Sequence, residues 1–200
     1  MIKIGGGKYR SRNIEVPSYL DVPTKNIVRL AIFNSLTDKI HNARVLDAFS
    51  GSGALGFEAL SRGASFVTFI DKEKASIEVI KKNAESLKEH NYEAILGDAL
   101  EVMKKFDKLY DIIILDPPYK DEHCYVESLT IIKEKKLLKE DGILVIEYEN
   151  DYPIFKEIIG KTYKYGKTKV LKGVYLWKSL SILGALTRWP MVTWKSLKDH

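Results

Sequence analysis

From residue 44 onward the chain alternates two kinds of segment. Short apolar runs rich in β-branched residues are each followed by a longer stretch with helical periodicity, which is the order of βαβ units around a parallel sheet. The pattern predicts strands at Arg44–Phe49, Phe66–Ile70, Tyr92–Leu96, Asp111–Leu115 and Ile143–Glu147. It predicts helices over residues 54–62, 73–89, 99–106, 123–136 and 153–160. We therefore expect an α/β fold with a doubly wound, mostly parallel sheet.

Two features place the centre and one edge of this sheet. Residues 112–115 are three isoleucines and a leucine with no polar alternation, which is typical of a strand covered on both faces. After Gly160, the stretches 163–170 and 174–177 alternate with no helix between them. They predict an antiparallel hairpin at the carboxyl-terminal edge of the sheet.

The first 43 residues follow a different pattern. A glycine-rich basic segment and a β-like stretch at 13–16 precede a predicted helix from about Lys25 to Leu36, for which Thr24 is the expected N-cap. Because 43 residues are too few for a separate core, we expect this arm to pack against the main domain or to reach over it. The predicted organisation is an N-terminal arm (1–43), a main domain (44–178) and a tail (179–200) with no recognisable pattern.

Composition excludes several classes of protein. The chain has 200 residues, 45% hydrophobic and 30% charged, which is average for a globular protein and untypical of disordered or membrane-embedded chains. No apolar run is long enough to span a bilayer, and the N-terminus lacks the apolar core of a signal peptide, so a cytoplasmic protein is expected. Cys124 is the single cysteine and the four histidines are scattered, so we expect neither a disulfide nor a bound metal.

Positive charge is concentrated in the arm. The formal net charge is +5, and residues 1–29 contain six basic and two acidic residues, which amounts to +4. A basic arm on a near-neutral body suggests a polyanionic partner, although a solvated basic terminus has the same composition.

A glycine-rich turn follows the first predicted strand and leads directly into a helix. The sequence Asp47-Ala-Phe-Ser-Gly-Ser-Gly-Ala-Leu-Gly56 contains Gly51, Gly53 and Gly56 in the spacing Gly-x-Gly-x-x-Gly. The first two glycines allow a tight turn and close approach of a ligand, and Gly56 allows the helix to pack closely on the strand. An acid, Asp71, ends the second strand about 20 residues on, where it can bind ribose hydroxyls. The pattern predicts a nucleotide-type cofactor site.

Asp47 discriminates between two cofactors. A carboxylate at the end of the first strand would repel a pyrophosphate but suits the ammonium group of the methionine tail of S-adenosylmethionine. Asp98, after the third strand, can accept a hydrogen bond from an adenine amino group, or it can simply cap the next helix. These positions favour S-adenosylmethionine over a dinucleotide.

The sequence Asp116-Pro117-Pro118-Tyr119 ends the predicted central strand. Two prolines fix the backbone and remove two N–H donors, so the turn presents mainly acceptors. Acceptors from Asp116 and the Pro117 carbonyl suit the protons of an exocyclic amino group, and Tyr119 can stack on the target base. We interpret these four residues as the catalytic motif of an amino-methyltransferase.

These motifs resemble those of the bacterial small-subunit rRNA guanine-N2 methyltransferase family, one of the families with an Asp-Pro-Pro-Tyr type motif. The similarity covers Ile4–Arg12, Pro23-Thr24 with Val28-Arg29 and Phe33-Asn34, Asp47–Gly63 and Asp116–Tyr119. The chain has Val22 where the family commonly has arginine. The resemblance implies an S-adenosylmethionine-dependent methyltransferase that acts on guanine 966 of 16S rRNA, either naked or in an assembling small-subunit particle.

The resemblance also implies a set of site residues. For the cofactor they are Asp47, Phe49, Ser50, Gly51, Gly53, Asp71, Lys72, Asp98 and Ala99; for the RNA they are Lys8, Arg10, Arg12, Thr24 and Arg29. The expected protein is a monomer without a metal.

Three alternatives remain open at this point. Adenine-N6 methylation of DNA or RNA shares the catalytic motif, an RNA-binding assembly factor could retain the fold without turnover, and a dinucleotide oxidoreductase is disfavoured by Asp47. His123 and Cys124 follow the motif but have no third partner in sequence, so we interpret them as helix packing.

Overall fold

The structure is a computed structural model that describes residues 1–20, 26–117 and 121–175. The predicted N-cap Thr24, the motif residues Pro118 and Tyr119, and the tail at 179–200 lie outside the described residues. The division of the chain into an arm, a domain and a tail therefore stays a prediction.

Nine strands and five α-helices make up the described part of the chain. The strands are β1 (Ile2–Lys3), β2 (Asn13–Ile14), β3 (Arg44–Asp47), β4 (Phe66–Asp71), β5 (Tyr92–Leu96), β6 (Tyr110–Leu115), β7 (Leu138–Tyr148), β8 (Ile158–Tyr165) and β9 (Thr168–Tyr175). The helices are α1 (Asn26–Asn34), α2 (Ala54–Ser61), α3 (Lys74–Leu87), α4 (Ala99–Met103) and α5 (Glu122–Glu134). None of these helices is long and apolar enough to cross a membrane.

Seven strands form one sheet in the order β5-β4-β3-β6-β7-β9-β8. The five strands from β5 to β7 pair in parallel, and β9 and β8 complete the edge in antiparallel pairing. The apolar run 112–115 lies in β6, the middle strand, where its side chains are buried on both faces. The predicted α/β fold with a central apolar strand and an antiparallel edge hairpin is confirmed.

The predicted helix at 153–160 is wrong. Residues 153–157 form only a short 3-10 turn, and β8 begins at Ile158. The hairpin turn also lies at residues 166–167, before the position that the sequence pattern indicated. Gly166 has a φ of +66° there, which lets the backbone reverse between β8 and β9. Ile158 pairs with Tyr175 of β9, so β8 includes residues 158–160, which the sequence pattern assigned to a helix.

The N-terminal arm packs against the main domain, as predicted. The short strands β1 and β2 pair with each other, and Ile2, Ile4 and Ile14 are buried in the core that α1, α2 and α3 form on one face of the sheet. From there the chain follows α3: Glu15 and Asn83 exchange two hydrogen bonds, and Tyr19 reaches Ser76 near the start of that helix.

A buried ion cluster joins the arm to α2. Glu58 is fully buried, accepts hydrogen bonds from Arg62 Nε at 2.7 Å and from the Gly5 amide at 2.8 Å, and pairs with Arg29 Nε at 3.4 Å. Arg29 is itself 1% exposed and donates to the Lys3 carbonyl at 2.6 Å. Because buried charges need partners, these contacts hold β1, α1 and α2 together.

Candidate functional site

Acidic side chains follow four neighbouring parallel strands at one edge of the sheet. Asp47 ends β3 and Asp71 ends β4, Asp116 comes directly after β6, and Asp98 lies two residues beyond the end of β5. The strand register aligns these ends, with Asp71 beside Leu96 and Asp47 beside Ile114. The structure therefore brings together the acids that the sequence predicted at one edge, and this carboxyl edge is where α/β folds bind ligands.

The glycine-rich turn forms a compact cradle at this edge. Ser50 Oγ donates to the Asp47 carbonyl at 2.7 Å and accepts from the Ile70 amide at 3.0 Å, which ties the turn to β4. Gly53 directly precedes the first residue of α2 and has a φ of +75°. Residues other than glycine rarely adopt this left-handed backbone conformation. At Gly56 a methyl group would overlap the ring of Phe69, so the predicted close packing of α2 on the sheet is confirmed.

Asp47 is a buried carboxylate with one oxygen that has no hydrogen-bond partner among the described residues. It is 1% exposed, its Oδ2 accepts from the Gly56 amide at 3.0 Å, and its Oδ1 is buried without a hydrogen-bond partner among the described residues. Burial raises the pKa of Asp47 to about 7, and the nearby Asp71 adds to the rise. A buried acceptor without a donor is costly, so this oxygen fits a cationic or N–H donor from a ligand.

Asp71 and Asp98 use their side chains to organise the backbone. Asp71 Oδ2 accepts from the Gly51 amide at 2.7 Å and its Oδ1 from the Glu73 amide at 2.8 Å, while burial raises its pKa. Asp98 Oδ1 caps α4 by accepting from the amides of residues 100 and 101. The side chain of Asp98 therefore caps α4, which is one of the two roles that the sequence allowed. The contact of Asp98 with adenine stays a prediction.

The other predicted cofactor residues surround the same edge. Phe49 is half-buried against the core that α4 and α5 cover, Ala99 is buried at the start of α4, and Lys72 is exposed just after β4. Their contacts with a cofactor stay predictions.

Asp116 and Pro117 leave the central strand beside the cradle. Leu115 is the last residue of β6 and pairs with Ile146, so Asp116 lies at the carboxyl edge between the β3 and β7 ends. Asp116 is half-buried and Pro117 is buried. An aromatic cluster supports this region: Tyr125 packs on Tyr152 and Phe155 with ring centroids 5.4 Å apart, and its hydroxyl donates to the Glu147 carbonyl.

Residues 17–20 were missed by the sequence interpretation although they reach the cradle. Tyr19 lies with its hydroxyl 2.5 Å from Ser76 Oγ, and Ser76 is in hydrogen-bonding reach of Asp71. Leu20 lies so close to Gly51 that a methyl group there would be 3.3 Å from Leu20 Cδ1. Only Pro17 and an isolated Tyr-Leu pair mark this segment in sequence, because its approach depends on the path of the arm along α3.

Lys8 and Arg12 of the arm lie at the amino edge of the sheet, opposite the carboxyl edge. Lys8 pairs with Glu89 at 2.8 Å and Arg12 donates to the Ser86 carbonyl at 3.0 Å, both at the carboxyl end of α3, while Arg10 is exposed. Ser76, near the cradle, is ten residues from Ser86, a separation of about 15 Å along the helix. The structure therefore does not bring these basic side chains to the carboxyl edge.

Arg29 also differs from its predicted placement. It was expected to face RNA, but it is buried in the ion cluster with Glu58 and is inaccessible to a phosphate group. The interpretation of Arg29 as an RNA contact is corrected: the cost of burying Glu58 is offset by this guanidinium.

Cys124 is unsuited to nucleophilic chemistry. Its Sγ donates to Asp121 Oδ2 at 3.1 Å, and Asp121 also caps α5. Burial, with the carboxylate of Asp121 beside it, raises the pKa of Cys124 to about 12, so the thiol stays protonated at neutral pH. This is consistent with the interpretation of Cys124 as helix packing.

A family model described as "Conserved hypothetical protein 95" matches residues 2–173. The chain is 36% identical over 171 residues to ribosomal RNA small subunit methyltransferase D of Buchnera aphidicola from Acyrthosiphon pisum, covering 84% of this chain and 87% of the relative. It is 33% identical over 149 residues to the protein of the same name from Escherichia coli K12, covering 74% and 75% of the two chains.

A solved structure has the same architecture. The structure from Escherichia coli described as the methyltransferase yhhF matches with a TM-score of 0.78 and 29% identity, over 86% of this chain and 96% of that one. The match to the family model, over residues 2–173, spans the cradle, the carboxyl edge and most of the hairpin.

Proposed function

The chain belongs to the family described as conserved hypothetical protein 95, and from that membership we propose that it transfers the methyl group of S-adenosylmethionine to the exocyclic N2 of a guanine in 16S rRNA, guanine 966. It is a methyltransferase; the substrate atom and its position in the RNA are the proposal. The observation that carries it is the placement of Asp116 and Pro117 at the end of β6, beside a cradle that contains the buried carboxylate of Asp47.

The cradle residues fit S-adenosylmethionine. Asp47 Oδ1 is a buried acceptor with no donor among the described residues, and it would accept a hydrogen bond from the ammonium group of the methionine tail. Asp71, which accepts a hydrogen bond from the Gly51 amide, would bind ribose hydroxyls, and Asp98, which caps α4, would bind the adenine. When bound, S-adenosylmethionine supplies an electrophilic methyl group on a sulfonium. An acidic edge of this kind suits a cation and disfavours a pyrophosphate.

Asp116 would increase the reactivity of the target amine. The guanine N2 lone pair is delocalised into the ring, so the amine is a poor nucleophile. A carboxylate that accepts one N–H, together with the Pro117 carbonyl as a second acceptor, favours a tetrahedral nitrogen with an available lone pair. Asp116 can then accept the proton that the methylated nitrogen releases. The stacking role of Tyr119 and the contribution of Pro118 rest on the resemblance and stay predictions.

A methyl-transfer assay with product analysis tests this proposal. Radiolabelled S-adenosylmethionine is incubated with the protein and either naked 16S rRNA or small-subunit particles, and the labelled nucleoside is identified. We expect N2-methylguanosine at a single position. N6-methyladenosine would keep the amine chemistry and refute the guanine substrate, whereas cofactor binding without transfer to either RNA would favour a non-catalytic assembly factor.

Removal of the Tyr19 hydroxyl is expected to weaken cofactor binding. Tyr19→Phe loses the hydrogen bond to Ser76, which lies next to Asp71, so we expect the Kd for S-adenosylmethionine to rise about fivefold, the equivalent of one ordinary hydrogen bond. Calorimetric titration measures this Kd, and kcat at saturating cofactor should not change.

Tyr9→Phe is the matched control for this variant. The Tyr9 hydroxyl bonds to Glu89 at 3.0 Å at the opposite edge, so its loss leaves cofactor affinity unchanged. Equal affinities of the Tyr19 variant and the wild type would show that residues 17–20 do not support the cradle.

A further inference from the structure

The hairpin formed by β8 and β9 is a second concentration of positive charge. Residues 158–175 contain five lysines and no acidic residue, a charge equal to the formal net charge of the whole chain. The lysines are Lys161, Lys164, Lys167, Lys169 and Lys172. Lysines on an exposed edge strand can serve to prevent edge-to-edge association, but only Lys161 and Lys164 belong to the edge strand β8.

The pairing of these lysines is unfavourable for the hairpin itself. Lys161 lies directly opposite Lys172, and Lys164 lies opposite Lys169, and like charges in opposed positions destabilise a sheet. Lys172 donates to the Ser35 carbonyl and Lys169 pairs with Asp151. Within residues 1–20, 26–117 and 121–175, no ion pair involves Lys161, Lys164 or Lys167, and all three are exposed. The fold therefore leaves uncompensated positive charge that a polyanion could neutralise.

The strand register places Lys164 and the hairpin turn level with the carboxyl edge, while Lys161 lies one residue before that level and on the other face of β8. One row of paired residues runs from Leu115 through Ile146 and Leu171 to Thr162. Asp116 is one residue beyond this row on β6, and Lys164 is two residues beyond it on β8. Because neighbouring strands are about 4.8 Å apart, the hairpin tip lies about 15 Å from Asp116 across the sheet. That separation corresponds to a few nucleotides of a polynucleotide strand.

We propose that Lys161, Lys164 and Lys167 bind phosphate groups of the RNA that flanks the target nucleotide. This inference rests on the proposed function, because it makes the hairpin part of the substrate site. Lys161 Nζ lies 5.2 Å from the centre of the Tyr163 ring, which limits the freedom of the ammonium group. The hairpin lies closer to a substrate held at Asp116 than do Lys8 and Arg12 of the arm, which lie at the opposite edge of the sheet.

A charge-neutralising triple variant tests the inference. Lys161→Gln, Lys164→Gln and Lys167→Gln are combined, and we expect the KM for the RNA to rise about tenfold and the slope of log Kd against log salt to fall by about 2, the loss of three phosphate contacts. The Kd for S-adenosylmethionine and kcat at saturating RNA should stay unchanged. The melting temperature should not fall, since opposed like charges are removed.

The matched control changes the same number of charges elsewhere. Lys39, Lys81 and Lys105 are exposed and have no ion pair among the described residues; Lys39 follows α1, Lys81 lies within α3 and Lys105 follows α4. Lys39→Gln, Lys81→Gln and Lys105→Gln together should leave the KM for RNA within about twofold of the wild type, because only the general attraction of net charge is reduced.

Three results separate failure of this inference from failure of the proposed function. Binding of a fluorescent fragment of 16S rRNA is measured beside methyl transfer. Equal RNA affinities of the hairpin variant and the control overturn the inference, as does a loss confined to protein-containing particles, which would indicate an acidic protein partner. Absence of methyl transfer by the wild type refutes the proposed function alone, and the hairpin is then judged on the affinity for the RNA fragment.

Discussion

Replacement of Asp116 by alanine is expected to lower kcat for methyl transfer by about 10²- to 10⁴-fold, the usual contribution of a group that accepts a proton in the transition state. Asp116 directly follows the last residue of β6, where its carboxylate can accept a hydrogen bond from an N–H of the target amine. Asp47 and Asp71, which we propose bind the cofactor, belong to other strands and are untouched by the change. Calorimetric titration should therefore give an unchanged Kd for S-adenosylmethionine.

Two further variants sharpen this experiment. Asp116→Asn keeps an acceptor oxygen but cannot hold a proton as a carboxylate does, so its kcat should lie between those of the alanine variant and the wild type. Asp141→Asn, an exposed carboxylate in β7, is the control for loss of one negative charge and should retain full activity. Parallel losses of transfer and cofactor binding in Asp116→Ala would assign Asp116 a structural role.

Replacement of Asp47 by asparagine is expected to weaken cofactor binding and to remove its pH dependence below neutrality. Burial raises the pKa of Asp47 to about 7, and the ammonium of the ligand prefers the ionised carboxylate. The wild-type Kd for S-adenosylmethionine should therefore fall about 20-fold between pH 5.5 and 7.5, as the carboxylate loses its proton. The asparagine variant should bind weakly at both values, as measured by calorimetric titration.

The same substitution has a predictable effect on the stability of the cofactor-free protein. The pKa of Asp47 is higher in the folded state than in the unfolded chain, so the folded state binds more protons between about pH 4 and pH 7. Stability that is present at about pH 4 is then lost as the pH rises to about 7, by about 3 kcal/mol. Denaturant unfolding should show this decline in the wild type and a weaker one in Asp47→Asn.

Asp71 provides the necessary comparison, because burial raises its pKa as well. If Asp47→Asn keeps the wild-type pH dependence of cofactor binding while Asp71→Asn loses it, the ionisation that governs binding belongs to Asp71. The assignment of the ammonium contact to Asp47 would then be wrong.

The carboxyl edge could be predicted from sequence because it depends on local order. Strand, turn and helix follow one another along the chain, and consecutive parallel strands present their carboxyl ends on the same side. Asp47, Asp71 and Asp116 each end or follow an apolar run, so their proximity followed from periodicity alone. The glycines of the cradle were equally recognisable, since their backbone conformations depend on residues within a few positions.

Long-range contacts account for the predictions that were wrong. Arg29 matches a motif of the resembling family, but its burial depends on Glu58, which is 29 positions away and becomes its partner only when α1 packs on α2. Likewise, Ile158 becomes part of a strand because it pairs with Tyr175, a contact that helical periodicity within residues 153–160 cannot report. In both cases a tertiary partner overrides the local signal.

The sequence by itself determined the fold class and the acidic residues that stand at the ends of the parallel strands. It also determined the chemistry that these acids and the Asp-Pro-Pro-Tyr motif favour. These properties depend on periodicity and on residue types close together in the chain. Only the tertiary structure decided the neighbours of the charged residues: it paired Lys8 and Arg12 with the carboxyl end of α3, buried Arg29, and placed Lys164 level with the edge that holds Asp116. The physical reason is that solvation and pairing of a charge depend on neighbours that are distant in sequence.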